Sequence, residues 1–366
     1  MTGTDRERLA AARRDCTVIL SGPRPRSMAE VLAGMAGSRY VDGPPDTYGD
    51  GGPVTELEER VAGLLGTEAA VYFPTGTMAQ QVALRFGAER TGTPAVGLHP
   101  LSHPMVHERD AYAALSGLRA VRTTTAPRNP TAEEIAGLDE PIGTLMLELP
   151  LRDAGLVLPS WDELVAVVAA ARAAGARVHL DGARLWESTP HLGRSLAEVA
   201  ALADSTYVSF YKSLGGMSGA ALAGPAELAR YARAWRHRHG GNLYQQWPAA
   251  VTALQGLDAE LPRLAAYVRH ARTVAAALAA VPGARIHPEP PHTQAFQLWL
   301  PHPADELNRA NLELAERDRV WFAGGWRDGA VPGMAMTEVT VAGPALDLDA
   351  AAVADLAGRF RTHLPS

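Results

Sequence analysis

One cysteine, Cys16, stands in 366 residues, so no internal disulfide can form and the chain fits a reducing compartment such as the cytoplasm. Long apolar runs are missing too: none approaches the roughly 20 uninterrupted apolar residues of a membrane span. The opening MTGTDRERLAAARRDC is too charged for the apolar part of a secretory leader. Positive charge is not in excess. The net charge is −6 and no helix carries a basic stripe, which argues against nucleic acid and anionic membrane as partners. No G-x-G-x-x-G follows a first strand, as a Rossmann oxidoreductase requires. Ser209 and Lys212 do spell S-x-x-K, but they close an apolar run where a serine acyl enzyme opens a helix, and SDN and KTG are both absent.

What remains reads as a globular α/β chain. Hydrophobic residues make up 47% and charged residues 20%. The length allows one large domain with a smaller one attached. Strands are expected at 69–73, 143–149, 178–181 and 207–212, with helices between, including an Ala/Val-rich one over 160–175. Such β-α-β units imply a mostly parallel sheet with right-handed crossovers. From Pro262 onward, long helices alternate with strands at 294–300, at the RVWFAG run and at 334–342, which reads as a smaller α+β domain. The expected division is an N-terminal arm over 1–45, a large domain over 46–261 and a small domain over 262–366.

Chemistry concentrates in Arg177 to Gly219. Asp181 ends one apolar run and Lys212 ends the next, with a segment long enough for a helix between them. In open α/β sheets ligands sit outside the carboxyl ends of the strands, so both side chains would face one crevice. A carboxylate and an amine there fit pyridoxal phosphate, the first holding the pyridine nitrogen protonated and the second meeting the aldehyde. Taken alone, Asp181 is also a helix cap or turn residue, and Lys212 a solvated lysine. Arg184 lies three residues past Asp181, and Gly215, Gly216 and Gly219 follow Lys212, where backbone could pass close to a ligand. Pro74 to Met78 joins a strand to a helix start, an arrangement that presents N–H groups to an anion. His99, His103 and His107 recur every four residues, a zinc-like spacing on a helix, but Pro100 and Pro104 interrupt any such helix.

HLDGARLW and SFYKSLGG resemble the threonine aldolase family, a beta-eliminating-lyase-like branch of the fold-type-I pyridoxal-phosphate enzymes. The resemblance extends to Thr75-Gly76-Thr77-Met78 and to a histidine five residues before a glutamate, His103 and Glu108. It implies that Lys212 carries pyridoxal 5′-phosphate and that Asp181 meets the ring nitrogen. It further implies that His103 stacks on the ring as a candidate base, and that Gly76, Thr77, Arg184, Ser209 and Arg238 help to hold the cofactor. Arg184, Tyr48 and Ser21 would contact substrate. Arg236, Arg238 and Gly240-Gly241 resemble a segment near a subunit interface, implying a homodimer or homotetramer with the site shared between copies. Two departures accompany the likeness. Leu149, Pro150, Leu151 and Arg152 replace a polar run that contains a histidine, and VPGMAMTEVTV lacks the arginine that binds a substrate α-carboxylate. Arg184, Arg24, Arg26 or Arg327 would then take that part. The activity implied is cleavage of a β-hydroxy-α-amino acid to glycine and an aldehyde. β-Elimination, β-substitution and a non-catalytic binding pocket are the alternatives.

Overall fold

The computed structural model describes residues 3–364. The chain forms two compact units, one of Ala29–Arg263 and the other of the described residues up to Met28 with those from Leu264 onward. The expected N-terminal arm therefore divides. Helix Gly3–Asp15 packs on helix Ala304–Asp318, and Val18–Ile19 pairs in parallel with Val320–Trp321. Apolar contacts of Ala12, Cys16 and Ile19 with Ala315 and Trp321 hold this stretch to the smaller unit.

The larger unit is built on seven strands: β1 (Ala69–Phe73), β2 (Ala95–Leu98), β3 (Arg119–Arg122), β4 (Thr144–Glu148), β5 (Arg177–Gly182), β6 (Ser205–Ser209) and β7 (Ala220–Gly224). Their spatial order is β1-β7-β6-β5-β4-β2-β3, and only β7 runs antiparallel to its neighbours. Strands covered on both faces need apolar residues throughout, and β2, β4, β6 and β7 are buried at every position. Register sets three polar groups side by side at the carboxyl edge: Glu148 is opposite Asp181, and Asp181 is opposite Tyr207.

Local signals place the helices. Ser160 caps helix Trp161–Ala173 through a reciprocal pair with Glu163. The helix expected from Thr55 begins earlier, at Gly52, because Pro53 occupies its first turn and the Thr55 hydroxyl accepts the Gly51 N–H. The segment between Asp181 and Lys212 is not one helix. It breaks into short turns, Leu185–Glu187, Thr189–Leu192 and Leu196–Ala200, with Gly193 left-handed at φ 63°.

β1 is an edge strand whose outward backbone groups need partners. Glu58 accepts the Tyr72 N–H at 2.8 Å, and buried Arg236 donates to the Tyr72 carbonyl at 2.8 Å and to Asn242 Oδ1 at 2.8 Å. Arg236, suggested above as an interface residue, is thus used inside its own chain.

The smaller unit carries a four-stranded antiparallel sheet ordered Arg327–Asp328, Ala335–Thr340, Ala295–Leu300, Arg285–His287. Helices Leu264–Ala279, Ala304–Asp318 and Ala350–Thr362 accompany it, as an α+β unit requires. Phe322 and Phe360 stack at 4.6 Å in its core.

Asp46 is fully buried and its carboxylate accepts three backbone N–H groups, from Gly49, Gln246 and Trp247, at 3.0, 2.8 and 2.7 Å. Asp46→Ala orphans all three donors and is expected to cost about 3 kcal/mol in urea unfolding. A loss below about 0.5 kcal/mol would show that water replaces the carboxylate.

Candidate active site

The carboxyl ends of β1, β5 and β6 surround a cavity of about 490 Å³ in the larger unit. A second lobe of about 250 Å³ opens beside it, sharing His103, His107, Asp181, Ala183 and Lys212 with the first. Lys212 lies three residues beyond β6, in the turn before β7, so the strand predicted to reach it ends early. Two cross-ties fix that turn to the exit of β5. The Ser209 hydroxyl donates to the Ala183 carbonyl at 2.7 Å, and Trp186 Nε1 donates to the Ser209 carbonyl at 2.8 Å.

Burial controls the charges. Asp181 is 1% exposed and accepts the Ala183 N–H at 3.1 Å. Loss of water raises its pKa, while Lys212 and His103 oppose the rise. The same loss of water lowers the Lys212 pKa, and Asp181 pulls it back up. Glu148 is pushed up to about 7 by burial and by the neighbouring Asp181 charge, although its oxygens accept the N–H groups of His103 and Arg152 at 2.7 and 3.1 Å. Glu187 is also pushed up to about 7 by burial, and accepts the Ser213 hydroxyl at 2.5 Å.

Gly76 opens the helix Gly76–Thr91, and its missing side chain matters: a Cβ there would stand 2.2 Å from the Tyr207 hydroxyl. Thr75 caps the helix through Met78 N–H, so the first-turn N–H groups of Gly76 and Thr77 are left toward the cavity both residues line. Gly219, also in the lining, has φ 94° and would place a Cβ 2.4 Å from the Tyr72 hydroxyl. Packing against a neighbouring tyrosine thus already requires glycine there.

The three histidines take different partners. His99 is held on both ring nitrogens, by the Ala126 carbonyl at 2.8 Å and the Leu101 N–H at 2.9 Å. His103 Nδ1 meets Glu108 at 2.9 Å, and Gln81 donates to the other Glu108 oxygen at 3.1 Å. That hydrogen bond raises the His103 pKa, with burial opposing it. His107 Nε2 meets Asp153 instead, at 2.7 Å.

Lys212, Asp181, His103, Gly76 and Thr77 therefore come together around one cavity, and Arg184 lines the second lobe with Arg152. Other expected site residues are absent from the lining of both lobes. Ser209 is fully buried with its hydroxyl on Ala183, so it positions the loop and lines neither lobe. Ser21 belongs to the smaller unit, where its hydroxyl accepts the Thr340 N–H at 3.1 Å. Tyr48 is exposed at φ 54° with its ring edge-on to Tyr244 at 5.4 Å, and Arg238 is exposed over the Trp235 ring at 4.7 Å. Neither lines the cavity within one chain. Arg24 donates to the carbonyls of Cys16 and Thr17.

Sequence reasoning missed Glu148, Glu187, Tyr207 and the His107–Asp153 pair. Glu148 carried a usable signal, since it ends an apolar strand as Asp181 does. His107 and Asp153 carried none, being 46 residues apart. A second overlooked signal concerns Lys212, which is the only lysine among the chain's 34 Lys and Arg residues.

Residues 27–300 match the family model for beta-eliminating lyases. A protein from Exiguobacterium sp. 255-15, provisionally described as an aromatic amino acid beta-eliminating lyase/threonine aldolase, superposes with TM-score 0.91 at 35% identity, over 98% of this chain and 100% of that one. A provisionally assigned L-allo-threonine aldolase from Listeria monocytogenes superposes with TM-score 0.89 at 33% identity, over 98% of each chain. The low specificity L-threonine aldolase of Escherichia coli K12 is 31% identical over 225 residues, 60% of this chain and 67% of that one. The alignments span only 61% and 67% of the lengths of the first two curated relatives.

In cofactor-free protein the Lys212 amine should react with trinitrobenzenesulfonate at half its limiting rate below the usual pH 10.5, because burial lowers its pKa. Asp181→Asn removes the charge that favours the ammonium form, so the midpoint should fall further. Peptide mapping separates Lys212 from the N-terminal amine. A midpoint that rises in the variant would contradict the electrostatics described.

Proposed function

Because the chain belongs to the beta-eliminating lyase family, we propose that it is a pyridoxal 5′-phosphate-dependent aldehyde-lyase that cleaves a β-hydroxy-α-amino acid to glycine and an aldehyde. The observation that carries this reading is that the sole lysine, in the turn after one strand, and a buried aspartate, near the end of the adjacent parallel strand, line one cavity. The residues present fit the cofactor. Asp181 is a desolvated carboxylate in need of a cation, which a protonated pyridine nitrogen supplies. Gly76 and Thr77 offer a helix N-terminus for the phosphate. Lys212 has a pKa lowered toward the neutral, nucleophilic amine.

When bound, the cofactor supplies an aldehyde that condenses with amines and a cationic ring that accepts the electron pair of a broken bond at Cα. Lys212 would hold the cofactor through its amine. Asp181 keeps the ring nitrogen protonated by offering it a fixed negative charge. His103, tied to Glu108, is assigned to the ring face. Arg184 is assigned to the substrate α-carboxylate, in place of the arginine missing from residues 331–341. Glu187, through Ser213, braces the turn that carries Lys212.

A second copy of the chain is proposed to cover the cavity mouth, where Tyr211 and Met217 are exposed apolar lining residues. Exposed Tyr48, Leu243, Tyr244 and Arg238 would then face that copy, Arg238 toward its phosphate site. Among the described residues no helix is long and apolar enough to cross a membrane. A cytoplasmic location is proposed from the single, buried cysteine.

The purified protein should release an aldehyde from L-threonine, L-allo-threonine or phenylserine and change its absorbance with glycine. Borohydride should leave a pyridoxyl mass on Lys212, and Lys212→Ala should lose both the mass and at least about 10³-fold in rate. Arg184→Gln should raise KM by about tenfold or more, the worth of a charge-assisted hydrogen bond. Keto acid and ammonia in place of aldehyde would mean β-elimination. Absorbance without turnover would mean a binding pocket.

A further inference from the structure

The second lobe contains an arrangement that the reading above leaves unused. Arg152, Asp153 and His107 stand in a row along its wall. His107 Nε2 is 2.7 Å from one Asp153 oxygen, and the Arg152 guanidinium is 3.4 Å from the other. The His107 side chain is 41% exposed while the Asp153 side chain is 16% exposed. Both side chains line the lobe, and the imidazole is the more exposed of the two. Leu149 and Leu151, both fully buried, explain how Arg152 and Asp153 come to be there. The leucines anchor the loop after β4 in the interior, with Leu151 packed beside Ala154, Val157 and Leu101.

A carboxylate on Nε2 fixes the tautomer. It accepts Nε2–H, leaving the lone pair on Nδ1, and it stabilises the imidazolium that forms when Nδ1 takes a proton. The other two histidines of this run are engaged differently. His99 uses both nitrogens on backbone groups. His103 bonds Glu108 through Nδ1, and the place assigned to it above is the ring face. Lys212 and Asp181 line the lobe together with His107.

We propose that His107, oriented by Asp153, is the base that removes the β-hydroxyl proton of the substrate. This rests on the aldol-cleavage reading above. The O–H bond breaks toward His107 Nδ1, and its electron pair forms the second bond of the aldehyde carbonyl. The Cα–Cβ bond breaks in the same event. Its pair is left on the glycine side, where the cofactor when bound would accept it until Cα takes a proton from water, and His107 releases its own proton to solvent. Asp153 is the positioning residue for the imidazole.

The test uses the cofactor-loaded enzyme and two partial reactions. Exchange of the glycine α-proton in deuterium oxide needs Lys212 and the cofactor but no base at a β-hydroxyl. Cleavage of L-threonine or L-allo-threonine needs all of them. His107→Asn, with His107→Gln as a second variant, should lower kcat for cleavage by about 10²-fold or more while glycine exchange stays within about threefold. Asp153→Asn should lower cleavage by about tenfold or more. In cofactor-free protein, nitrogen NMR of the histidine rings should show the Nε2–H form of His107 in the parent and lose that preference in Asp153→Asn. Cleavage within about threefold of the parent in both His107 variants, or equal losses in cleavage and exchange, would overturn the proposal. A parent that exchanges glycine protons but releases no aldehyde from any hydroxy amino acid would remove the aldolase reading itself, and the role of His107 with it.

Discussion

A carboxylate and an amine withdrawn from water at neighbouring strand ends are the constraint on which the larger unit depends. Desolvation pushes Asp181 toward its protonated form and Lys212 toward its neutral form, and each charge partly restores the other. Such a pair adds little stability, because the cost of removing two ions from water offsets much of their attraction. Its value is chemical. A neutral amine can attack an aldehyde, and a buried anion can hold a proton on a bound ring.

The surrounding fold keeps that arrangement in place. Adjacent parallel strands bring Glu148, Asp181 and Tyr207 into one row, so the sheet's register is also the site's geometry. Ser209 and Trp186 stitch the two exits together, and Glu58 with Arg236 satisfies the open edge at Tyr72. Gly76 can lie against Tyr207 only for want of a side chain. In each case a polar or small residue inside the core meets a specific backbone or side-chain need close to the cavity.

Much of this was legible in the chain. Strand and helix positions follow from apolar periodicity and capping residues, and the observed boundaries fall within a few residues at 69–73, 161–173, 295–300 and 350–362. Lys212 and Asp181 were legible because each polar group ends an apolar run, and His103 with Glu108 through the family resemblance alone. The stretch between Asp181 and Lys212 misled, since length alone suggests a helix where Pro190 and Gly193 impose short turns. Ser209 misled for a different reason. The resemblance implied a cofactor contact, yet its hydroxyl is held by a carbonyl one strand away.

The sequence by itself determined most of the strands, the caps and the one lysine at the close of an apolar run, because these depend on composition and on neighbours along the chain. Only the tertiary structure decided that Glu148 stands beside Asp181, that Arg236 serves a strand edge and that His107 meets Asp153. Those relations arise from strand order and loop return. They join residues tens to more than a hundred positions apart, and no local pattern of hydrophobicity or spacing encodes a contact of that kind.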